Sequence, residues 1–267
     1  MSGGAHPWYD SHWLAAYHAT RDWLARNRPD KGALFEALVA PLRTDPAFQA
    51  RVLPGVIDAS QLQEIRDVVR GLAATDLELH EARRFGRFVV HDHPPFVRLQ
   101  ASLAPLVSAT CGEEVEPCYS FLSLYTGKGV CELHMDAPYA KWTLDLCIDS
   151  NVDWPIWFSR VVPWPGPEEA RAPDWRERLR VDETLGFTRF SLLPGEAILF
   201  GGSSQWHVRD PIPPAPDGSA PYCTLLFLHY VPRAAGSAVD LGEWPALLDE
   251  PGLAPVIAPH DVSPRLG

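Results

Sequence analysis

A mixed α+β chain with a mainly β core is expected from three features of this 267-residue sequence. Apolar residues recur at helical spacing mainly before about residue 115. From Glu116 to Val231 the texture changes to eight short apolar runs closed by Gly, Pro, Asp or Asn, and 27 prolines supply turns. Eight short strands suit a double-sheet jelly roll, which hides strand edges by stacking two sheets. The expected organisation is one domain over 1–267. A helical buttress with an added strand occupies 1–115, the jelly roll 116–232 with an insertion at about 161–186, and a tail 233–267.

Trp13, Leu14, Tyr17, Trp23 and Leu24 share a helical face in a run from Trp8 to about Asn27, and Ala33 to Leu42 forms a second such run. In DASQLQEIRDVVRGLAA, Leu62, Ile65, Val68, Val69 and Leu72 make one stripe, and Ser60 with Gln63 three places on predicts a capping box. RFGRFVVHD reads as a strand, and PPFVRLQASLAPLVSATCG as a helix opened by proline and stopped by Gly112. The eight β runs are PCYSFLSLYTG, GVCELHMDA, KWTLDLCID, PIWFSRVV, FTRFSLLPG, EAILFGG, WHVRDPI and PYCTLLFLHYV. The proline-rich, charged stretch PWPGPEEARAPDWRERLRVDET interrupts them as a loop over one end of the barrel, and LGEWPALLDE in the tail reads as a short helix.

The formal charge of −11 and the lack of a Lys/Arg run exclude a phosphate-binding groove, so no nucleic-acid partner is expected. No uninterrupted apolar run reaches eighteen residues and the amino end lacks a leader pattern, so no membrane segment is expected either. Cys111, Cys118, Cys131, Cys147 and Cys223 are odd in number and form no CxxC pair, which fits reduced thiols and a cytoplasmic chain.

The chemistry concentrates in GVCELHMDAPYAKWTLDLCID. His134 and Asp136 stand two residues apart and so share one face of a strand. His207 follows the turn and apolar run PGEAILF, 73 residues on from His134, where a facing strand would deliver it. Two imidazoles and a carboxylate make a facial triad for non-haem Fe(II) with three open positions.

The order HxD, then PGEAILF, then a late histidine resembles the Fe(II)- and 2-oxoglutarate-dependent oxygenases over roughly residues 116–232. The resemblance implies a double-stranded β-helix with iron on His134, Asp136 and His207, 2-oxoglutarate chelating that iron, and O₂ as cosubstrate. Many members carry an Arg or Lys about ten residues beyond the distal histidine for the far carboxylate of 2-oxoglutarate. Here that strand, APYCTLLFLHY, has no cation, and a buried carboxylate needs one. Arg209, two places after His207, is the first substitute, with Lys141 and Arg189 in reserve and Tyr125 and Thr224 as hydroxyl donors.

Blander roles stand beside these. His91 and His93 suit a strand-to-helix connection in which Asp92 bonds local backbone, and His229 suits a buried, hydrogen-bonded histidine. Arg209 has an alternative as an ion-pair partner, and Cys131 and Cys147 pack as small hydrophobes. Trp142, Trp154, Trp157 and Trp206 flank the site in sequence, and Trp142 and Trp206 are taken as the apolar wall for a substrate. The expected activity is oxidation of a small organic molecule, such as an amino-acid derivative or secondary-metabolite intermediate, by hydroxylation or desaturation. The alternatives are a side-chain hydroxylase acting on protein, or a cupin-like metal-binding or sensing protein without redox catalysis.

Overall fold

The computed structural model describes residues 12–166 and 173–260. Its elements are, in order, α1 (His12–Asn27), α2 (Gly32–Val39), β1 (Arg51–Leu53), α3 (Ala59–Arg70), β2 (Arg87–His91), α4 (Pro94–Cys111), β3 (Val115–Tyr125), β4 (Cys131–His134), β5 (Trp142–Ser150), β6 (Ile156–Phe158), α5 (Trp175–Val181), β7 (Thr188–Phe190), β8 (Ala197–Gly201), β9 (His207–Arg209), β10 (Cys223–Pro232), α6 (Trp244–Leu247) and α7 (Ala254–Ile257).

All eight expected β runs form strands, and they divide between two stacked antiparallel sheets, alternating except at the β6–β7 pair, which lies wholly in the smaller sheet. The larger has the order β1-β8-β5-β10-β3-β2 and the smaller β4-β9-β6-β7. Strands β3 to β10 thus wind as a double-stranded β-helix, with β1 and β2 extending the larger sheet at its edges.

Alternation sorts the side chains between the layers. On β5, Trp142, Leu144, Leu146 and Ile148 join the apolar layer under α3 and α4, together with Leu226, Leu228 and Tyr230 of β10. The intervening Cys147, Cys223, Leu225 and Phe227 face the other sheet. Burial on both faces explains why these strands read as near-continuous apolar runs. Outside the smaller sheet, Leu133, Met135 and Val208 pack against α1, α2, α5 and the tail through Trp13, Tyr17, Phe35, Trp175 and Trp244.

Helix ends follow the chain chemistry with one correction. The capping box of α3 is formed by Asp58 and Gln61, whose side chains and backbone amides bond reciprocally at 2.8 and 2.9 Å, rather than by Ser60 and Gln63. Aspartate is as good a cap as serine, and the helix starts two residues sooner. Helix α4 opens on Pro94 and ends on Gly112 at φ +80°, as its sequence requires. Ala40–Leu42 continues α2 as a 3₁₀ turn. The stretch of the first predicted helix before His12 lies outside the described residues. Strand β1 was not expected: three residues are too few for a periodic signal, and β1 is defined by its pairing with β8. The tail holds more helix than expected, with a 3₁₀ segment at Arg233–Val239 ahead of α6 and α7. Among the described residues no helix is long and apolar enough to cross a membrane.

Candidate metal centre

His134 ends β4 and pairs directly across the ladder with His207, the first residue of β9. The turn and strand after Pro194 therefore bring His207 beside a histidine 73 positions earlier, with ring centroids 4.1 Å apart. Asp136 lies just past the end of β4, where its backbone N–H donates to Gly202 O at 2.8 Å. Its Oδ1 faces Nε2 of His134 at 3.7 Å and Nε2 of His207 at 3.6 Å. Two donors each about 2.1 Å from one ion must lie within about 4.2 Å of each other, and both separations do. Among the described residues these three side chains form a group able to hold a metal ion.

The surroundings orient the donors. Nδ1 of His134 lies 2.8 Å from Glu132 O and Nδ1 of His207 lies 3.0 Å from Gln205 O, which leaves both Nε2 atoms for the centre. Oδ2 of Asp136 accepts from Thr143 Oγ1 at 2.8 Å. A Cβ on Gly202 would stand 2.2 Å from that same Oδ2, so only glycine leaves space for the carboxylate. Burial acts to raise the Asp136 pKa, but the facing His207, His229 and His134 outweigh it and hold the carboxyl well below the usual range. Burial lowers the pKa of His134 against the pull of Asp136, which favours the neutral, ligating ring. Two imidazole nitrogens and an ionised carboxylate are the donor set a divalent iron takes.

The centre opens into a cavity of about 280 Å³ lined by apolar Phe121, Ile156, Phe200 and Phe227 and by four arginines, Arg84, Arg87, Arg176 and Arg209. Arg209 shares the inward face of β9 with His207, as its spacing implied. It is fully buried, and its Nη2 pairs with Asp145 Oδ2 at 2.7 Å while Nη1 donates to Trp154 O. Its Nε and Oδ1 of Asp145 are buried without hydrogen-bond partners. Burial raises the Asp145 pKa although Arg209 opposes it.

Other expected site residues lie elsewhere. Lys141 turns away from the cavity to Pro41 O at 2.9 Å and to Glu113. Arg189 pairs with Asp153 on the exposed side of β7 at 2.9 Å. Thr224 sits on the opposite face of β10 from Leu225 and Phe227 and does not line the cavity. Trp142 belongs to the helix-covered face, edge-on to Phe48 at 4.6 Å, with its indole N–H on Glu113. Trp206 packs near Trp175 in the layer outside the smaller sheet. For Trp142 and Thr224 the cause is that alternation along a strand buried on both sides does not reveal which face meets the cavity. The aromatic wall is instead built by Tyr119, Phe121, Phe227 and His229. Asp92 receives the backbone N–H of Ser120 at 2.8 Å, bonding β3 rather than its own turn.

Arg87 was not anticipated. On β2 it faces inward with Tyr125, whose hydroxyl accepts from its Nη1 at 2.7 Å, and it pairs with buried Glu81. An arginine within the alternating run RFVVH was the available signal. Tyr125 itself sits behind Arg87 and edge-on to Trp154 at 4.7 Å.

The fold of the non-haem α-ketoglutarate-dependent epimerase SnoN from nogalamycin biosynthesis superposes on this chain with a TM-score of 0.51 at 17% identity, covering 82% of this chain and 91% of that one. The chain has the fold of the 2-oxoglutarate- and Fe(II)-dependent oxygenases. The same epimerase in complex with Fe³⁺, α-ketoglutarate and nogalamycin RO gives 0.51 at 18% identity over 78% of this chain and 89% of that one. EctD from S. alaskensis, with 2-oxoglutarate and 5-hydroxyectoine, gives 0.49 at 18% identity over 73% and 75%. No family model matches the chain, and no curated protein is significantly similar to it in sequence.

Proposed function

We propose that the chain is a non-haem iron oxygenase that couples oxidative decarboxylation of 2-oxoglutarate to oxidation of a C–H bond in a small organic molecule. The observation that carries this reading is the convergence of His134, Asp136 and His207 on one point at the edge of an arginine-containing cavity. The epimerase SnoN, which shares this fold, was solved in complex with Fe³⁺ and α-ketoglutarate, which agrees with that donor set.

Iron and 2-oxoglutarate bound here would supply the oxidant for C–H abstraction. The chain's own part is to hold and shield. His134 and His207 are the neutral nitrogen ligands, and Asp136 is the anionic one, fixed by Thr143 and given room by Gly202. Ile156, Phe200 and Phe227 keep water from the reacting position. The far carboxylate of 2-oxoglutarate is assigned to Arg209 with Arg87 beside it. A buried donor without a partner costs about 1–3 kcal/mol, and a carboxylate would satisfy the orphaned Nε of Arg209.

Anaerobic addition of Fe(II) and 2-oxoglutarate should produce the weak visible band of a chelated keto acid, and aerobic turnover should release succinate. Metal binding with neither response would favour a metal-binding barrel without redox chemistry. Replacing Arg209 alone strands Asp145 without its buried partner, which costs about 3–5 kcal/mol. The anchor is therefore tested in the double variant Arg209→Leu/Asp145→Leu. It should fold and need at least about tenfold more 2-oxoglutarate for half-saturation. An unchanged requirement would move the role to Arg87.

A further inference from the structure

Of the four arginines around the cavity, two are matched within the fold and two are not. Arg87 and Arg209 each have a buried carboxylate of their own, Glu81 and Asp145. At the outer rim, Arg84 and Arg176 converge on one oxygen of a single acid: their Nη2 atoms lie 2.8 and 3.3 Å from Glu132 Oε2. Among the described residues the rim therefore holds two guanidinium groups against one carboxylate, an excess of one positive charge. Each guanidinium is steadied over a ring, Arg84 on Phe85 at 4.9 Å and Arg176 on Trp175 at 4.6 Å. The Nε of Arg176 is buried and has no hydrogen-bond partner among the described residues. Planar forks held in place, with a donor to spare, suit a carboxylate.

The same cavity is lined by a row of stacked aromatic rings. The rings of Tyr119 and His229 stack at 4.1 Å and 10°, those of Phe121 and His229 at 5.3 Å and 18°, and those of Phe121 and Phe227 at 4.9 Å and 27°.

We propose that the substrate is a small organic monocarboxylate with a flat apolar body, its carboxylate held by Arg84 and Arg176 and its body laid along the Tyr119–His229–Phe121–Phe227 wall. The single excess charge at the rim matches a monoanion and leaves a phosphate dianion undercompensated. Glu132 occupies the two guanidiniums until the ligand arrives and competes with it. Because Arg176 belongs to α5, seating the ligand also fastens that helix over the cavity mouth. The proposal rests on the oxygenase reading for what happens to the bound molecule, while the binding itself stands apart.

The test is calorimetric titration of the purified protein, with and without Mn(II) and 2-oxoglutarate, using benzoate, cyclohexanecarboxylate and indole-3-acetate against their primary amides. At least one carboxylate should outbind its amide by about tenfold, the scale of a charge-assisted hydrogen bond. Arg84→Gln and Arg176→Gln should erase that preference with the amide unaffected, Arg176→Lys should restore part of it, and Glu132→Gln should tighten the carboxylate by removing its competitor. A purely structural ion network predicts the opposite or no response to Glu132→Gln, and that result overturns the proposal. So does the absence of any carboxylate preference, or its survival in both arginine variants. Titration of 2-oxoglutarate on the same samples reports separately on the oxygenase reading: a carboxylate preference without 2-oxoglutarate binding sinks that reading and leaves the rim site standing.

Discussion

Gly202 decides how closely the carboxylate of Asp136 can approach its neighbours. An alanine there would set a methyl 2.2 Å from Asp136 Oδ2 and 2.6 Å from Thr143 Oγ1, so the carboxylate must swing off its position. Groups that orient a metal ligand are worth about 10–100-fold in affinity. Gly202→Ala is therefore expected to lose at least about tenfold in Fe(II) affinity with little change in circular dichroism, and Thr143→Val, which deletes the 2.8 Å bond, should lose a similar amount. Wild-type affinity in both variants would mean that neither residue orients the carboxylate. The metal-site candidates were legible in the sequence because HxD and the late histidine are local spacings tied to strand ends. Their support was not: Gly202 and Arg87 reach the site through register and sheet order, which pair residues far apart along the chain, and Thr143 reaches Asp136 through the face that β5 turns to it. Lys141 and Arg189 stood in reserve behind Arg209, and the face on which each side chain lies decides which cation enters the cavity.

Strands and helices were readable wherever a period had length enough to show. The eight β runs and α4 were marked by apolar alternation and by Pro94 and Gly112. Strand β1 exists through its ladder with β8, and the cap of α3 lies on Asp58, two residues before the serine expected from the sequence. Asp58→Ala should cost about 1 kcal/mol and lower Tm by roughly 2–4 °C, whereas Ser60→Ala should leave Tm unchanged; the reverse ranking would return the cap to Ser60. The expected insertion carries α5, tied down by Arg176 to Glu132 and by Arg180 to Asp210 at 2.9 Å, with Arg180 also over Trp157 at 5.2 Å. These are partly exposed pairs of about 0–1 kcal/mol each. Arg180→Ala should thus raise hydrogen exchange within α5 while Tm moves by only a degree or two. A large fall in Tm would show that α5 is part of the cooperative core.

The whole barrel carries its centre as a cluster of buried histidines, and this sets its behaviour in acid. Burial pushes the pKa of His229 down to about 4, with Asp136 opposing, and lowers that of His134 as well. A depressed histidine takes its proton first in the unfolded chain. Its contribution is complete above about pH 6.5 and is lost as the pH falls toward about 4, on the order of 3 kcal/mol for His229. Asp145, whose pKa is raised, works in the opposite direction as pH falls toward its ordinary range. Metal-free protein unfolded in urea between pH 7 and 4 should therefore lose stability, and His229→Gln should lose less over that window; parallel curves would contradict a neutral buried His229. Sheet order, the two helical layers and the buried arginines all converge on one open end of the β-helix, where three side chains share a point. The most direct check is anaerobic equilibrium dialysis of Fe(II) into wild-type protein and Asp136→Ala. The wild type should bind iron stoichiometrically and develop the keto-acid band on adding 2-oxoglutarate, while the variant should do neither; full iron occupancy in Asp136→Ala would contradict the shared centre.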